Sequence, residues 1–221
     1  MAERGRPRSF DRQKALTSAM QVFWAKGYEG SSISDLTAEM GINSPSLYAA
    51  FGCKEALFRE AVELYKATEG NVIWDVVPVA SSARAAVEAM LRTSAEQFTR
   101  PGNPAGCFVT LSAVHSPRDQ SAEPDEPGNP VFEELHHLRE RPIDILRARF
   151  ERAIADGELP EAADANAIAS FYVTLQQGMS LRARDGAPRE ALLTIVGCAM
   201  RAWDEFASPR TAPAERELES E

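Results

Sequence analysis

The segment Ser31–Lys54 constrains the fold of this chain of 221 residues more than any other stretch. It reads SSISDLTAEMGINSPSLYAAFGCK, in which two short helical patterns, at about 33–40 and 44–51, flank a glycine at position 41. Glycine adopts a left-handed backbone conformation at little cost, so it can end one helix and turn the chain into the next. The pattern therefore predicts a helix-turn-helix.

The residues at the start of each short helix support this prediction. Ser32 followed by Asp35 is a capping box, in which the hydroxyl accepts the Asp35 N–H and the carboxylate reaches back. Asn43 is a good N-cap for the second helix. Pro45 then falls in the first turn, where its missing N–H costs little.

Helical periodicity extends over the rest of the chain. Apolar spacing predicts a first helix at about Asp11–Lys26, and a helix that begins near Lys54 and continues toward Val77, where Pro78 stops it. Further helices are predicted at about 82–99, 105–115, 131–155, 163–184 and 189–206, with Pro142 breaking or kinking the third of them. No strand pattern emerges, so the predicted fold class is all-α.

Charge is distributed unevenly along the chain. The net charge is −9, which by itself argues against binding to nucleic acid. Residues 1–66, however, contain nine Lys or Arg and eight Asp or Glu, whereas the remainder contains 15 and 25. The first 14 residues contain five Lys or Arg against two acids. A basic N-terminal segment on an otherwise acidic chain predicts a protein that binds the phosphates of nucleic acid through its N-terminal part only.

From the first helix to about residue 65, the sequence resembles the tetracycline-repressor (TetR) family of bacterial transcription regulators. The matching features are Gly27-Tyr28, Gly41-Ile42, Ser46-Leu47-Tyr48, Phe51 and Lys54-Glu55-Ala56-Leu57. The resemblance implies that the helix at 44–51 enters the major groove and that Tyr48 and Lys54 contact phosphate. It also implies a homodimer formed by the last two helices. One departure is Cys53, which stands where a capping Ser, Asn or Asp is usual.

The second helix of the motif offers modest direct readout of DNA bases. It contains no Arg, Lys, Gln or Glu, so the common bidentate contact to guanine is excluded there. Serine hydroxyls and small apolar groups remain, together with an arginine-rich arm that suits a narrow minor groove. The predicted DNA-binding residues are Arg4, Arg6, Arg8, Ser32, Ser34, Ser44, Pro45, Ser46, Tyr48, Ala49 and Lys54. The alternative for the arginine-rich arm is that it is a basic tail that makes no contact with a DNA groove.

No catalytic or metal-binding motif emerges, so no enzyme activity, cofactor or metal site is predicted. The resemblance to the TetR family implies a small-molecule pocket, and aromatic and apolar residues with a few polar groups suit an apolar or aromatic ligand. The candidate lining residues are Trp74, Phe98, Phe108, Leu111, His115, Phe132, His136, Tyr172, Gln176 and Met179. Plain core packing is the alternative for most of them.

The interpretation is a homodimeric, ligand-responsive repressor that binds a palindromic operator, in which a ligand changes the spacing of the two recognition helices. Residues 1–52 are assigned to DNA binding, 53–208 to effector binding and dimerisation, and 209–221 to a flexible tail. The alternatives are an activator, a regulator with no small ligand, and a helical small-molecule-binding protein or enzyme with a purely structural helix-turn-helix. Three scattered cysteines and no membrane-spanning run predict a cytoplasmic protein. Cys53 beside Lys54 is either a redox-sensitive thiol or an unreactive cap.

Overall fold

The computed structural model describes residues 10–114 and 130–208, and every regular element in these ranges is a helix. In chain order they are α1 (Arg12–Lys26), α2 (Ile33–Met40), α3 (Ser44–Phe51), α4 (Lys54–Tyr65), a π-helical segment (Lys66–Gly70), α5 (Asn71–Trp74), α6 (Ala83–Phe98), α7 (Phe108–Val114), α8 (Pro130–Ala155), α9 (Ala165–Arg184) and α10 (Arg189–Ala207). The all-α prediction is confirmed. Within the described ranges, none of the helices is long and apolar enough to cross a membrane.

The helix that leaves the helix-turn-helix changes its winding before it ends. The predicted continuation past Gly70 is confirmed, although the α-helix stops at Trp74 rather than near Val77. A methyl group added at Gly70 would lie 3.0 Å from Cε1 of Tyr65. The glycine therefore lets the buried Tyr65 ring pack against the backbone of the π-helical segment. Such segments insert one extra residue per turn and often occur where a helix serves a function.

Two further helix predictions differ from the structure. The helix expected from about residue 105 begins at Phe108, because Gly106 has φ 85° and its N–H donates to the Phe98 carbonyl oxygen at 2.9 Å. The alternative that Pro142 breaks the later helix is wrong. The helix α8 continues through it from Pro130 to Ala155, since a proline removes one hydrogen bond while packing on α9 keeps the helix in place.

Two hydrophobic cores organise the chain. The body core is built from α6, α8, α9 and α10, with Phe98, Phe150, Tyr172 and Trp203 among its buried members. The N-terminal core contains the apolar faces of α1 to α4, but also Phe108 of α7 and Leu135 of α8. The helices that follow residue 52 thus complete the core of the helix-turn-helix module. The division of the chain at this residue stays a prediction.

A short loop between α6 and α7 joins α1 to α9. The indole N–H of Trp24 donates to the carbonyl oxygen of Gly106 at 3.1 Å, and the next N–H, of Cys107, donates to the hydroxyl of Ser180 at 2.8 Å. The Arg184 guanidinium of α9 also donates to the Ala25 carbonyl oxygen. These contacts fix the helix-turn-helix module to the body.

Candidate nucleic-acid interface

The turn between α2 and α3 has the geometry that the sequence predicts. Gly41 adopts the left-handed conformation at φ 64°, and the Ile42 N–H donates to the Thr37 carbonyl oxygen at 3.1 Å. The Leu36 and Leu47 side chains are fully buried, one on each helix. The turn and the shared core therefore fix the angle between the two helices.

The capping box of α2 is confirmed. The Asp35 N–H donates to the Ser32 hydroxyl at 3.0 Å, and the Ser32 N–H donates to a carboxylate oxygen of Asp35 at 3.0 Å. Hydrogen bonds from Lys26 and Ser32 hold the pKa of Asp35 well below its usual range. The Ser32 hydroxyl also donates to Asp35 at 2.6 Å, so this predicted DNA ligand is already engaged in the cap.

Helix α3 presents a neutral surface to solvent. Pro45, Tyr48 and Ala49 are exposed, and 47% of the Tyr48 surface is accessible. Ser44 and Ser46 are half-buried on the same helix. The structure thus brings together the predicted residues of α3, while Ser34 lies exposed in the first turn of α2. Their contact with DNA stays a prediction.

The start of α4 lies beside this surface. Cys53 is the N-cap, and its sulfur accepts the Ala56 N–H at 3.4 Å. Sulfur is a weak acceptor, so the substitution of a thiol for an oxygen cap keeps the geometry with a weaker bond. The ammonium of Lys54 lies 4.4 Å from the centroid of the Tyr28 ring. Sequence reasoning missed this contact, because 26 positions separate the two residues and only the Gly27-Tyr28 pair stood out as a family feature.

One arginine of the basic N-terminal stretch has a structural role. Arg12 donates to a carboxylate oxygen of Glu60 at 2.7 Å and to the Ala50 carbonyl oxygen at 3.3 Å, and its guanidinium lies 4.3 Å from the centroid of the Phe51 ring. It therefore ties α1 to α3 and α4. Of the other arginines, Arg4, Arg6 and Arg8 lie outside the described residues.

The point where the predicted arm joins the fold lies next to α3. Phe10 lines a surface cleft of about 490 Å³ together with Thr37, Gly41, Asn43 and Ser46. Phe10, the first described residue, therefore lies near the N-terminal end of α3. This is the end that enters the major groove in helix-turn-helix proteins.

The candidate effector residues divide between the two cores. Phe98, Tyr172 and Met179 belong to the body core, with Trp74 packed against it, whereas Phe108 belongs to the N-terminal core and Phe132 packs against that one. The Tyr172 hydroxyl donates to the Ala199 carbonyl oxygen at 3.1 Å, which is a bond between α9 and α10.

The remaining candidates do not complete a common cavity either. Leu111 and Gln176 are buried, His136 is exposed, and His115 lies outside the described residues. A cleft of about 760 Å³ lies between the C-terminal end of α6 and the turn joining α9 to α10, and none of the candidates lines it. Across residues 10–114 and 130–208, no cluster of three His, Cys, Asp or Glu side chains could hold a metal ion.

Replacing the cap of α3 tests how strongly local sequence fixes this helix. We expect Asn43→Ala to lower the free energy of unfolding by about 0.5–2 kcal/mol, because the Ser46 N–H loses the Oδ1 acceptor at 2.9 Å. Urea denaturation at fixed protein concentration measures the change. Asn43→Asp is the matched control: it should retain the cap and the stability but weaken DNA binding, since it adds negative charge beside α3. Equal stability of the alanine variant and wild type would contradict this account.

Comparison with known proteins places this geometry among DNA-binding regulators. The family model described as bacterial regulatory proteins, tetR family, matches residues 15–61. The HTH-type transcriptional repressor ComR of Escherichia coli is 33% identical over 208 residues, which cover 92% of this chain and 93% of that protein. The HTH-type transcriptional repressor BdcR of Escherichia coli is 29% identical over 196 residues, or 88% and 90% of the two chains.

A solved structure adds a direct view of DNA binding by a similar protein. It contains the TetR family transcriptional regulator CifR, in a cysteine-substituted form, complexed with 26-base-pair double-strand operator DNA. CifR is 44% identical in sequence, with a TM-score of 0.80 over 90% of this chain and 100% of that chain.

Proposed function

The chain belongs to the TetR family of bacterial transcription regulators, and we propose that it is a repressor that binds double-stranded operator DNA through α3. The observation that carries this proposal is the exposed face of α3, held at a fixed angle by the Gly41 turn and flanked by Lys54 at the start of α4. ComR and BdcR are repressors, and CifR binds operator DNA, which supports the same role here.

Phosphate contacts supply most of the affinity in this proposal. The Tyr48 side chain is exposed, so its hydroxyl can donate to a phosphate oxygen. The Lys54 ammonium lies at the N-terminus of a 12-residue helix, where the helix dipole also attracts anions. The hydroxyls of Ser44 and Ser46 are proposed to contact base edges. The apolar surface of Pro45 and Ala49 is proposed to contact the methyl group of thymine. The expected specificity is therefore modest for each base pair and strongly dependent on salt.

We further propose that the repressor acts as a homodimer through α9 and α10. The outward face of α9 carries exposed apolar side chains, and each of the two helices has an exposed glycine. Phe171 and Leu181 of α9 are 40% and 45% exposed, and Gly178 lies between them on the same face. Gly197 lies on the outward face of α10, and an added Cβ at either glycine would meet no atom within 4 Å. Glycines on an apolar face let two helices approach closely, and a twofold axis presents two copies of α3 to a palindrome.

The arm that precedes Phe10 is proposed to contact the minor groove. Deleting residues 1–8 is expected to weaken operator binding and to lower the slope of log K against log [salt] by about 0.9 for each phosphate that the arm neutralises. The three arginines supply the charge, and Phe10 lies beside the N-terminal end of α3. Fluorescence anisotropy at several salt concentrations measures both quantities. An unchanged affinity together with an unchanged slope would eliminate the arm from recognition.

Response to a small-molecule effector is also part of the proposal. A ligand can only release DNA if it binds one spacing of the recognition helices better than the other. The helix α4 and its π-helical continuation are the elements that would transmit the change, because they lead from Lys54 into the body. Thermal-shift screening of a chemically diverse library, followed by release of bound DNA, identifies such a ligand. The class of molecule proposed is apolar or aromatic.

The central test is binding of the purified protein to the DNA next to its own gene. Sequence-specific, salt-sensitive binding that is lost with Tyr48→Ala and retained with a substitution on the exposed face of α6, such as Arg92→Ala, would support the proposed function. A folded dimer that does not prefer this DNA over a shuffled sequence would favour the rival interpretation of a small-molecule-binding protein or an enzyme.

A further inference from the structure

We infer that Tyr28 is a positioning residue for DNA binding, and that Phe132 of α8 fixes its ring. In this inference, which rests on the proposed function, the ring of Tyr28 holds the Lys54 ammonium in place at the start of α4 before DNA arrives. The contacts involve three parts of the fold: the turn that follows α1, the start of α4 and the first turns of α8.

The first observation is the contact itself. The Lys54 ammonium lies 4.4 Å from the centroid of the Tyr28 ring, well inside the distance of about 6 Å at which a cation is attracted to the face of an aromatic ring. Burial raises the pKa of Tyr28, and the nearby Glu55 and Glu29 raise it further. The hydroxyl therefore stays protonated at neutral pH, and the attraction is that of a cation to a neutral ring.

The second observation is that the acidic residue next to Lys54 in the chain is paired with another residue. Glu55 follows Lys54 directly, but its carboxylate pairs with Arg59 at 2.9 Å. Arg59 in turn pairs with Glu134 of α8 at 3.0 Å. Among the described residues, no carboxylate forms an ion pair with Lys54. The ammonium thus keeps its charge available to a phosphate while the ring restricts where it lies.

The third observation is that the Tyr28 ring is itself immobilised. The Phe58 ring of α4 meets it edge to face at a centroid distance of 5.0 Å, and the Phe132 ring of α8 does so at 6.3 Å. The Phe23 ring of α1 stacks on it at 6.3 Å. A ring fixed by three others can order a flexible side chain that would otherwise have to be ordered when DNA binds. Ordering a lysine beforehand reduces the entropy cost of binding.

The arrangement also connects the body to a DNA contact. Phe132 and Glu134 lie within the first two turns of α8, where Phe132 contacts Tyr28 and Glu134 pairs with Arg59 of α4. A movement of this end of α8 would therefore change where the Tyr28 ring, and with it the Lys54 ammonium, is presented. Lys54 is then a phosphate contact whose position depends on the body and not only on α4.

A double-mutant cycle with Tyr28→Leu and Lys54→Met tests the inference on the DNA next to the protein's own gene. Loss of the ring is expected to weaken binding by about 2- to 5-fold for each subunit, which compounds to about 4- to 25-fold for a dimer. In the Lys54→Met background, Tyr28→Leu should cause no further loss. Tyr28→Phe keeps the ring and should bind as wild type does.

The same cycle separates the inference from the proposed function. If wild type binds this DNA no better than a shuffled sequence, the proposed function fails. If wild type binds specifically but Tyr28→Leu weakens binding equally with and without Lys54, the inference alone is overturned, because Tyr28 then acts only through the fold. Wild-type binding by Tyr28→Leu would overturn it as well.

A second readout does not depend on DNA. In free protein, the ring current of Tyr28 should shift the ε-methylene protons of Lys54 upfield in NMR spectra. The shift should vanish in Tyr28→Leu, persist in Tyr28→Phe and shrink in Phe132→Leu. An unshifted Lys54 in wild type would overturn the contact, and a shift that is unchanged in Phe132→Leu would overturn the role of α8.

Discussion

Gly106→Ala is expected to lower the free energy of unfolding by about 2–4 kcal/mol, the sum of backbone strain and steric overlap. Gly106 has φ 85°, a region that residues with a side chain rarely adopt. An added Cβ would lie 2.7 Å from the Ser180 carbonyl oxygen and 2.8 Å from Cδ1 of Leu111. The first of these atoms belongs to the backbone of α9, so it cannot move aside cheaply. Urea denaturation at fixed protein concentration measures the loss.

Gly102→Ala is the matched control for this variant. Gly102 has φ 90° in the same loop, but an added Cβ there would meet no atom within 4 Å. It should therefore cost only the strain of the backbone, about 1–2 kcal/mol. Equal costs for the two variants would show that the close approach of the loop to α9 contributes nothing. If Gly106→Ala loses more free energy of unfolding than Gly102→Ala, the difference comes from the contacts between α1, the loop and α9.

Gly178→Glu is expected to abolish the dimer while leaving the subunit folded. In the isolated subunit the position is open, and glutamate is a better helix former than glycine by about 0.5 kcal/mol or more. In the proposed dimer, two carboxylates would face each other across a close contact between helices. Loss of the second half-site should weaken operator binding by about 100-fold or more. Analytical ultracentrifugation and anisotropy measure the two effects.

Two further variants serve as a second test of the interface and as its control. Gly197→Glu on α10 should behave in the same way, because its face is equally open. Ala162→Glu adds the same charge at an exposed position before α9 and should leave both dimer and affinity unchanged. A Gly178→Glu protein that remains dimeric would refute the proposed interface. Because unfolding of a dimer depends on concentration, all comparisons use one protein concentration.

The sequence predicted the helix-turn-helix closely because local interactions specify it. The bounds of α2 and α3 agree with those predicted, and the caps at Ser32 and Asn43 have the expected partners three residues on. Each of these hydrogen bonds closes within one helical turn. The exposed face of α3 followed from the burial of Leu47 and Phe51, which helical periodicity alone indicates.

The predicted effector cavity shows the limit of such reasoning. Phe98, Phe108 and Tyr172 were chosen because aromatic rings and a few polar groups suit a pocket. The structure buries all three completely, with Phe108 in a different core from the other two. Helical periodicity tells which face of a helix is apolar, but it does not tell which neighbouring helix covers that face.

By itself, then, the sequence determined the all-α class, the helix-turn-helix, its caps and the neutral surface of α3, because the contacts that specify them lie a few residues apart. Only the tertiary structure decided that Tyr28 meets Lys54, that Phe132 of α8 meets Tyr28, and that Gly106 lies against Ser180. These contacts join residues far apart in the chain, and their geometry depends on how two cores pack together. The spacing of apolar residues along the chain does not specify that packing. The contacts between the body and the DNA-binding surface are therefore seen only in the folded structure.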